Sequence, residues 1–170
     1  EHLQTSVPSI YAIGDVIDPP SLAHVATAEG VHAAEHIAGE NPAVINYNAI
    51  PGCTYCKPHV ASVGYSERRY QEEGVDYKTS TFPFTANGRA IATADSEGMV
   101  KLLFDKKYGG LIGGHIVGGD ATEMIHELVL GITMEATAHE IGKSVHAHPT
   151  LGESIMEAAL DTLGEKIHGA

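Results

Sequence analysis

Along residues 59–163 the hydrophobic pattern changes period once, and that change limits the fold more than any other feature of the 170-residue chain. Before residue 118 the apolar residues come in short runs or alternate, so His59 to Gly64, Tyr77 to Phe82, Met99 to Phe104 and Leu111 to Val117 read as strands. Asp105-Lys106-Lys107-Tyr108-Gly109-Gly110 has the turn chemistry to join the last two as a hairpin. Ser66 to Glu73 reads as a short capped helix ended by Gly74. Beyond Gly118-Gly119-Asp120 the period becomes helical. Ala121, Met124, Ile125, Leu128, Val129 and Ile132 form one stripe, and Ile141 and Val145 belong to a shorter helix. Leu151, Ile155, Met156, Ala159, Leu160 and Leu163 mark the last one. Strands followed by helices predict an α+β fold, an antiparallel sheet with helices packed on one face.

The first 45 residues do not fit that plan. Ser9 to Gly14 is a short apolar run ending at Gly14-Asp15, which reads as a strand buried on both faces. A turn at Asp18-Pro19-Pro20-Ser21 follows, with Ser21 placed to cap a helix from Leu22 to about Ala38. Leu22, Val25, Ala26, Ala33, His36 and Ile37 recur at helical spacing there, and Gly39 stops it. Charge breaks at the same place. Residues 1–45 carry six acids and no Lys or Arg, residues 46–119 eight basic and seven acidic side chains, and residues 120–170 two basic and nine acidic. Two domains are expected, 1–45 as a strand-helix remnant of a parallel α/β sheet and 46–170 as the α+β layer.

The net charge of −12 repels phosphate backbones and argues against nucleic acid as a partner. No run of 18 apolar residues is present to span a membrane. Two cysteines, Cys53 and Cys56, make no secreted disulfide framework, so a reducing compartment such as the cytoplasm is expected.

Two motifs can carry chemistry. In His146-Ala147-His148-Pro149-Thr150-Leu151-Gly152-Glu153, a histidine precedes a proline at a helix entrance and a carboxylate follows five residues later. Glu153 can accept from one ring nitrogen and leave the other as a base near neutral pH. Thr150 and Glu153 also match a T-x-x-E capping box, which would explain both structurally. In Tyr11-Ala12-Ile13-Gly14-Asp15-Val16, a carboxylate ends a strand, where α/β sheets bind ligands and sugar-like hydroxyls find an acceptor. The competing reading is a turn aspartate. His32 and His36 stand at i, i+4, but one helix offers two ligands where zinc wants three or more, so no metal site is expected.

Taken together these stretches closely resemble the C-terminal portion of the dihydrolipoamide dehydrogenases, flavin-dependent pyridine nucleotide–disulfide oxidoreductases. The resemblance runs through Pro8 to Asp15, Leu22-Ala23-His24, Glu29-Gly30, Ile50-Pro51-Gly52, Val60 to Gly64, Phe82-Pro83-Phe84, Asn87 to Ala90 and His146 to Glu153. It implies that Asp15 binds the ribitol of FAD and that the backbone at Ala23 approaches the flavin ring. His148 would be the acid/base serving a dithiol on a partner subunit, with Glu153 holding its imidazole. Residues from about 46 onward would form the interface of a homodimer, with FAD and NAD serving the full-length enzyme. Lipoyl groups of 2-oxo acid dehydrogenase complexes would be its partners. Glutathione reductase and mercuric reductase share the scaffold, and a free-standing dimerisation module is the non-catalytic alternative.

No G-x-G-x-x-G occurs, and neither does the family's cysteine pair separated by four residues. The chain is therefore expected to be inactive alone and to bind no flavin of its own. Cys53 and Cys56 read as packing residues. Residues 1–45 are expected to be the least settled part, and the stripe from Ala121 to Ile132 is the expected dimer contact.

Overall fold

The computed structural model describes residues 2–18 and 20–168, and it divides into two units, Glu1–Tyr47 and Asn48–Ala170. In the second unit the strands are β1 (Gly52–Thr54), β2 (His59–Gly64), β3 (Tyr77–Pro83), β4 (Met99–Asp105) and β5 (Leu111–Gly118). They form one sheet in the order β1-β2-β5-β4-β3, and every neighbouring pair is antiparallel. Helices α2 (Glu67–Glu73) and α3 (Gly88–Ala92) lie between strands, and α4 (Ala121–Thr133), α5 (Ala138–Lys143) and α6 (Glu153–Leu163) follow the sheet. This is the α+β layer that the change of period predicts.

Register explains which face is covered. Ala61, Ile116, Val100 and Phe82 are paired across four strands and all are buried, as their shared parity requires. Their face takes α4 and α6. A Cβ at Gly114 would lie 2.4 Å from Leu128 Cδ1, so the absent side chain is what lets α4 lie close to β5. At the other side of that face Ser80 Oγ donates to the Ala158 carbonyl at 2.6 Å, tying β3 to α6. Lys101 alternates to the opposite face and pairs there with Glu67 of α2, while the Tyr70 hydroxyl donates to the Ile112 carbonyl at 2.9 Å.

The α4 stripe is used inside the unit. Ala121, Ile125 and Leu128 are fully buried, and Met124, Val129 and Ile132 pack against the same core. That face is therefore not the dimer contact expected of it; the exposed apolar residues at this end of α4 are Leu130 and Met134. Ser66 caps α2 through the Arg69 N–H, and Gly74 ends it with φ +68°. The hairpin turn forms, with the Tyr108 N–H on Asp105 Oδ2 at 2.6 Å. Val145 lies outside α5 and is 99% exposed, because the helix stops at Lys143 and Ser144 is extended. The last helix starts at Glu153, two residues after Leu151, which packs on the core from the preceding loop.

The first unit departs further from expectation. Helix α1 (Ala23–Ile37) is present, but its N-cap is Leu22 without a side-chain bond, so Ser21 does not cap it. Pro19 of the expected turn lies outside the described residues. Residues 9–14 form no strand: a single bridge joins Gln4 to Tyr11, with the Ala12 N–H on the Leu3 carbonyl at 2.9 Å. Ile10 is 53% exposed instead of buried. A strand needs a neighbour for its backbone donors and acceptors, and here only a local turn supplies one. Among the described residues no helix is long and apolar enough to cross a membrane.

Candidate active site

His148 sits on the loop between α5 and α6, with its side chain 78% exposed. Its Nδ1 lies 2.9 Å from Glu153 Oε1. Glu153 is the first residue of α6, and its Oε2 accepts the Thr150 N–H at 2.8 Å. Each carboxylate oxygen thus has its own partner, one orienting the imidazole and one holding the loop. The T-x-x-E capping box is only half made. Thr150 Oγ1 turns away to donate to the Ala147 carbonyl at 2.7 Å, and Gly152 is the N-cap without a side-chain bond. Among the described residues the complete capping box is Thr137 with Glu140. Burial works against the Glu153 charge, but the Thr150 N–H and His148 outweigh it and leave its pKa below the usual carboxylate value.

Two residues missed by sequence reasoning hold this loop. Asn87, almost fully buried, caps α3 through Oδ1 and donates from Nδ2 to the Thr150 carbonyl at 3.0 Å and to Ser154 Oγ at 2.9 Å. An Asn before a short helix is an N-cap signal, but nothing local ties it to a loop 63 residues away. Glu127 of α4 bonds His146 Nε2 at 2.9 Å. Beside His148 a cavity of about 250 Å³ is lined in part by Phe82, Ile91, Glu153 and Glu157. His168 closes one side of it, bonded through Nδ1 to the buried Glu157 at 2.6 Å.

Asp15 and Ala23 stand in the first unit. Asp15 is exposed on a single turn, Gly14–Val16, and Ala23 opens α1. Gly14 has φ +68°, and a Cβ there would lie 3.1 Å from that of Ala26, so the turn packs against the first turns of α1. Its N–H donates to Glu29 Oε2 at 2.7 Å, and the other oxygen of this 1%-exposed carboxylate accepts the Tyr47 hydroxyl at 2.7 Å. Burial, then Glu29, pushes the Tyr47 phenol up to about 12. Asp15 thus presents an exposed carboxylate on a turn that is fixed from behind.

Against this geometry, the profile of the pyridine nucleotide-disulphide oxidoreductase dimerisation domain matches residues 50–159. The chain belongs to that family. It is 49% identical over 168 residues to dihydrolipoyl dehydrogenase of Geobacillus stearothermophilus, covering 99% of this chain and 36% of the relative. The Bacillus subtilis dihydrolipoyl dehydrogenase is 50% identical over 165 residues, covering 97% and 35%. A mitochondrial dihydrolipoyl dehydrogenase of Arabidopsis thaliana is 47% identical over 168 residues, covering 99% and 33%. Among solved structures, LpdA from Mycobacterium tuberculosis superposes with a TM-score of 0.89 at 29% identity, over 94% of this chain and 35% of that one. The chain thus spans about a third of the length of these relatives.

Elsewhere in this family member the remaining sequence candidates separate. Cys53 packs against the core, where burial and Glu123 push its thiol pKa up, but Cys56 is exposed with its Sγ 2.9 Å from the Pro58 carbonyl, so it is not a packing residue. His32 is buried and His36 stacks on His2 at 4.2 Å between ring centroids. Among the described residues no group of three or more His, Cys, Asp or Glu side chains is arranged to hold a metal.

Proposed function

We propose that this chain is the C-terminal portion of a dihydrolipoyl dehydrogenase, supplying the dimer interface and the acid/base pair His148 and Glu153. The observation that carries the reading is the 2.9 Å contact between His148 Nδ1 and Glu153 Oε1. It leaves Nε2 on an exposed ring and gives any imidazolium formed there a carboxylate to balance it. In the intact homodimer His148 Nε2 takes a proton from a dihydrolipoamide thiol, because the thiolate and not the thiol attacks a disulfide. Glu153 holds the tautomer that keeps Nε2 open and stabilises the charge once the proton arrives. The dithiol gives up two electrons and two protons in all. FAD, when bound, would supply the two-electron relay from the enzyme's reduced redox dithiol to NAD⁺, and Asp15 and the backbone at Ala23 are the residues of this chain that would face it. Lipoyl groups of 2-oxo acid dehydrogenase complexes are the proposed reductant, in the cytoplasm or mitochondrial matrix.

The test is substitution in the intact flavoenzyme. His148→Gln is expected to slow dihydrolipoamide oxidation by roughly 10²–10⁴-fold, the scale of removing a general base. Glu153→Gln keeps an acceptor for the Thr150 N–H and so preserves the helix start. Turnover within about twofold of the parent for Glu153→Gln would reduce the pair to a structural contact, while a large loss with unchanged melting supports the acid/base reading.

A further inference from the structure

Two residues before His148 a second imidazole is held far more tightly. The His146 side chain is 11% exposed. Its Nε2 lies 2.9 Å from Glu127 Oε1 on α4, and its Nδ1 lies 3.0 Å from the Ser144 carbonyl at the end of α5. Both oxygens can only accept, and a neutral imidazole has one N–H to give, so both contacts are satisfied only by the imidazolium. The Glu127 bond outweighs burial and raises the His146 pKa above its ordinary 6.5, and Glu153 at the start of α6 adds to the effect. Glu127 and Glu153 are the charged groups that face the ring.

The placement of this pair matters because of what surrounds His148. On its C-terminal side the loop is anchored at Thr150, whose N–H meets Glu153 and whose carbonyl meets Asn87. On its N-terminal side Val145 and Ala147 are exposed, and the one side-chain bond there, from Thr150 Oγ1 to the Ala147 carbonyl, stays within the loop itself. His146 is the tie on that side. We propose that the Glu127–His146 ion pair is a positioning clamp, fixing the approach to His148 against α4 so that its imidazole is presented in one place. The proposal rests on His148 being the acid/base, and it adds a role for two residues that do not touch the reacting atoms.

The experiment compares Glu127→Ala, Glu127→Gln and His148→Gln in the intact flavoenzyme, with melting temperature and flavin content as controls for folding. Glu127→Ala is expected to lower kcat roughly 10–100-fold, with KM changed less than about twofold, the scale of a misplaced catalytic group. Glu127→Gln is expected to recover most of that loss, because its amide N–H can donate to a neutral Nε2 and keep the tie. On the 170-residue chain, nitrogen-15 NMR of the histidine rings is expected to find both His146 nitrogens protonated at pH 7, and only one in Glu127→Gln. If His148→Gln lowers turnover while Glu127→Ala stays within twofold of the parent, the clamp is wrong and the acid/base reading stands. If His148→Gln has no effect, the acid/base reading falls, and the clamp is judged by the amide resonances of residues 145–149. Shifts in Glu127→Ala that Glu127→Gln restores support it, and unchanged resonances overturn it.

Discussion

The two units solve the same problem with unequal means. The second buries Phe82, Phe84, Leu102, Ile125 and Leu128 between a five-stranded sheet and its helices. The first has one helix, a few turns and a buried carboxylate as its organising centre, while Val7, Ile10, Ile13 and Val16 remain exposed. Apolar burial is the main favourable term in folding, and a single helix with turns has little of it to offer. Specific polar contacts therefore carry a larger share of the order in the first unit. Glu29 fixes the Asp15 turn through one backbone N–H and is itself fixed by Tyr47.

That contrast can be broken most directly by hydrogen exchange. Amides of β4 and β5 are expected to exchange only through global opening. Those of residues 9–14 should exchange orders of magnitude faster, through local opening that costs little. Equal protection in both segments would end the distinction. A smaller effect comes from substitution. Leu128→Ala is expected to cost about 2–5 kcal/mol by leaving a cavity under α4. Ile10→Ser, at a half-exposed site in the first unit, should change stability by under about 0.5 kcal/mol. Denaturant titration of both variants checks the pair, and a large loss at Ile10 would mean the first unit has a core of its own.

The smallest effect expected is one of pH, confined to the second unit. His146 has a raised folded pKa, so its stabilisation is fully present below its ordinary 6.5 and is lost as pH rises through the raised value. Glu153 works in the opposite direction: its folded pKa is lowered, so its contribution is present above 4.5 and is lost as pH falls through the folded value. The second unit's melting temperature should therefore decline as pH rises above 6.5, and Glu127→Gln should flatten that decline. A slope that Glu127→Gln leaves untouched would assign it to other groups.

Much of the second unit was legible in the sequence because its signals are local. A hydrophobic period, a Ser cap three residues before the N–H it binds, a Gly stop and a hairpin turn each act within a few residues, and all four appear where expected. The pairing of His148 with Glu153 was legible for the same reason, being five residues apart across a helix start. The strand expected at residues 9–14 was not decided by its own apolar run, since a strand exists only when a neighbour takes its hydrogen bonds.

Period and capping chemistry by themselves determined that this chain makes an antiparallel sheet followed by amphipathic helices, and that a histidine and a carboxylate meet at the start of the last one. Only the tertiary structure decided that the α4 stripe faces its own sheet, that Val145 lies in solvent, and that Glu153 divides its oxygens between an imidazole and a backbone N–H. It also decided the partners of Glu127, Asn87 and Glu29, which lie 19, 63 and 18 residues from His146, Thr150 and Tyr47. A helix dictates which of its residues share a face, but what that face meets depends on how distant segments are stacked, and no local pattern encodes that distance.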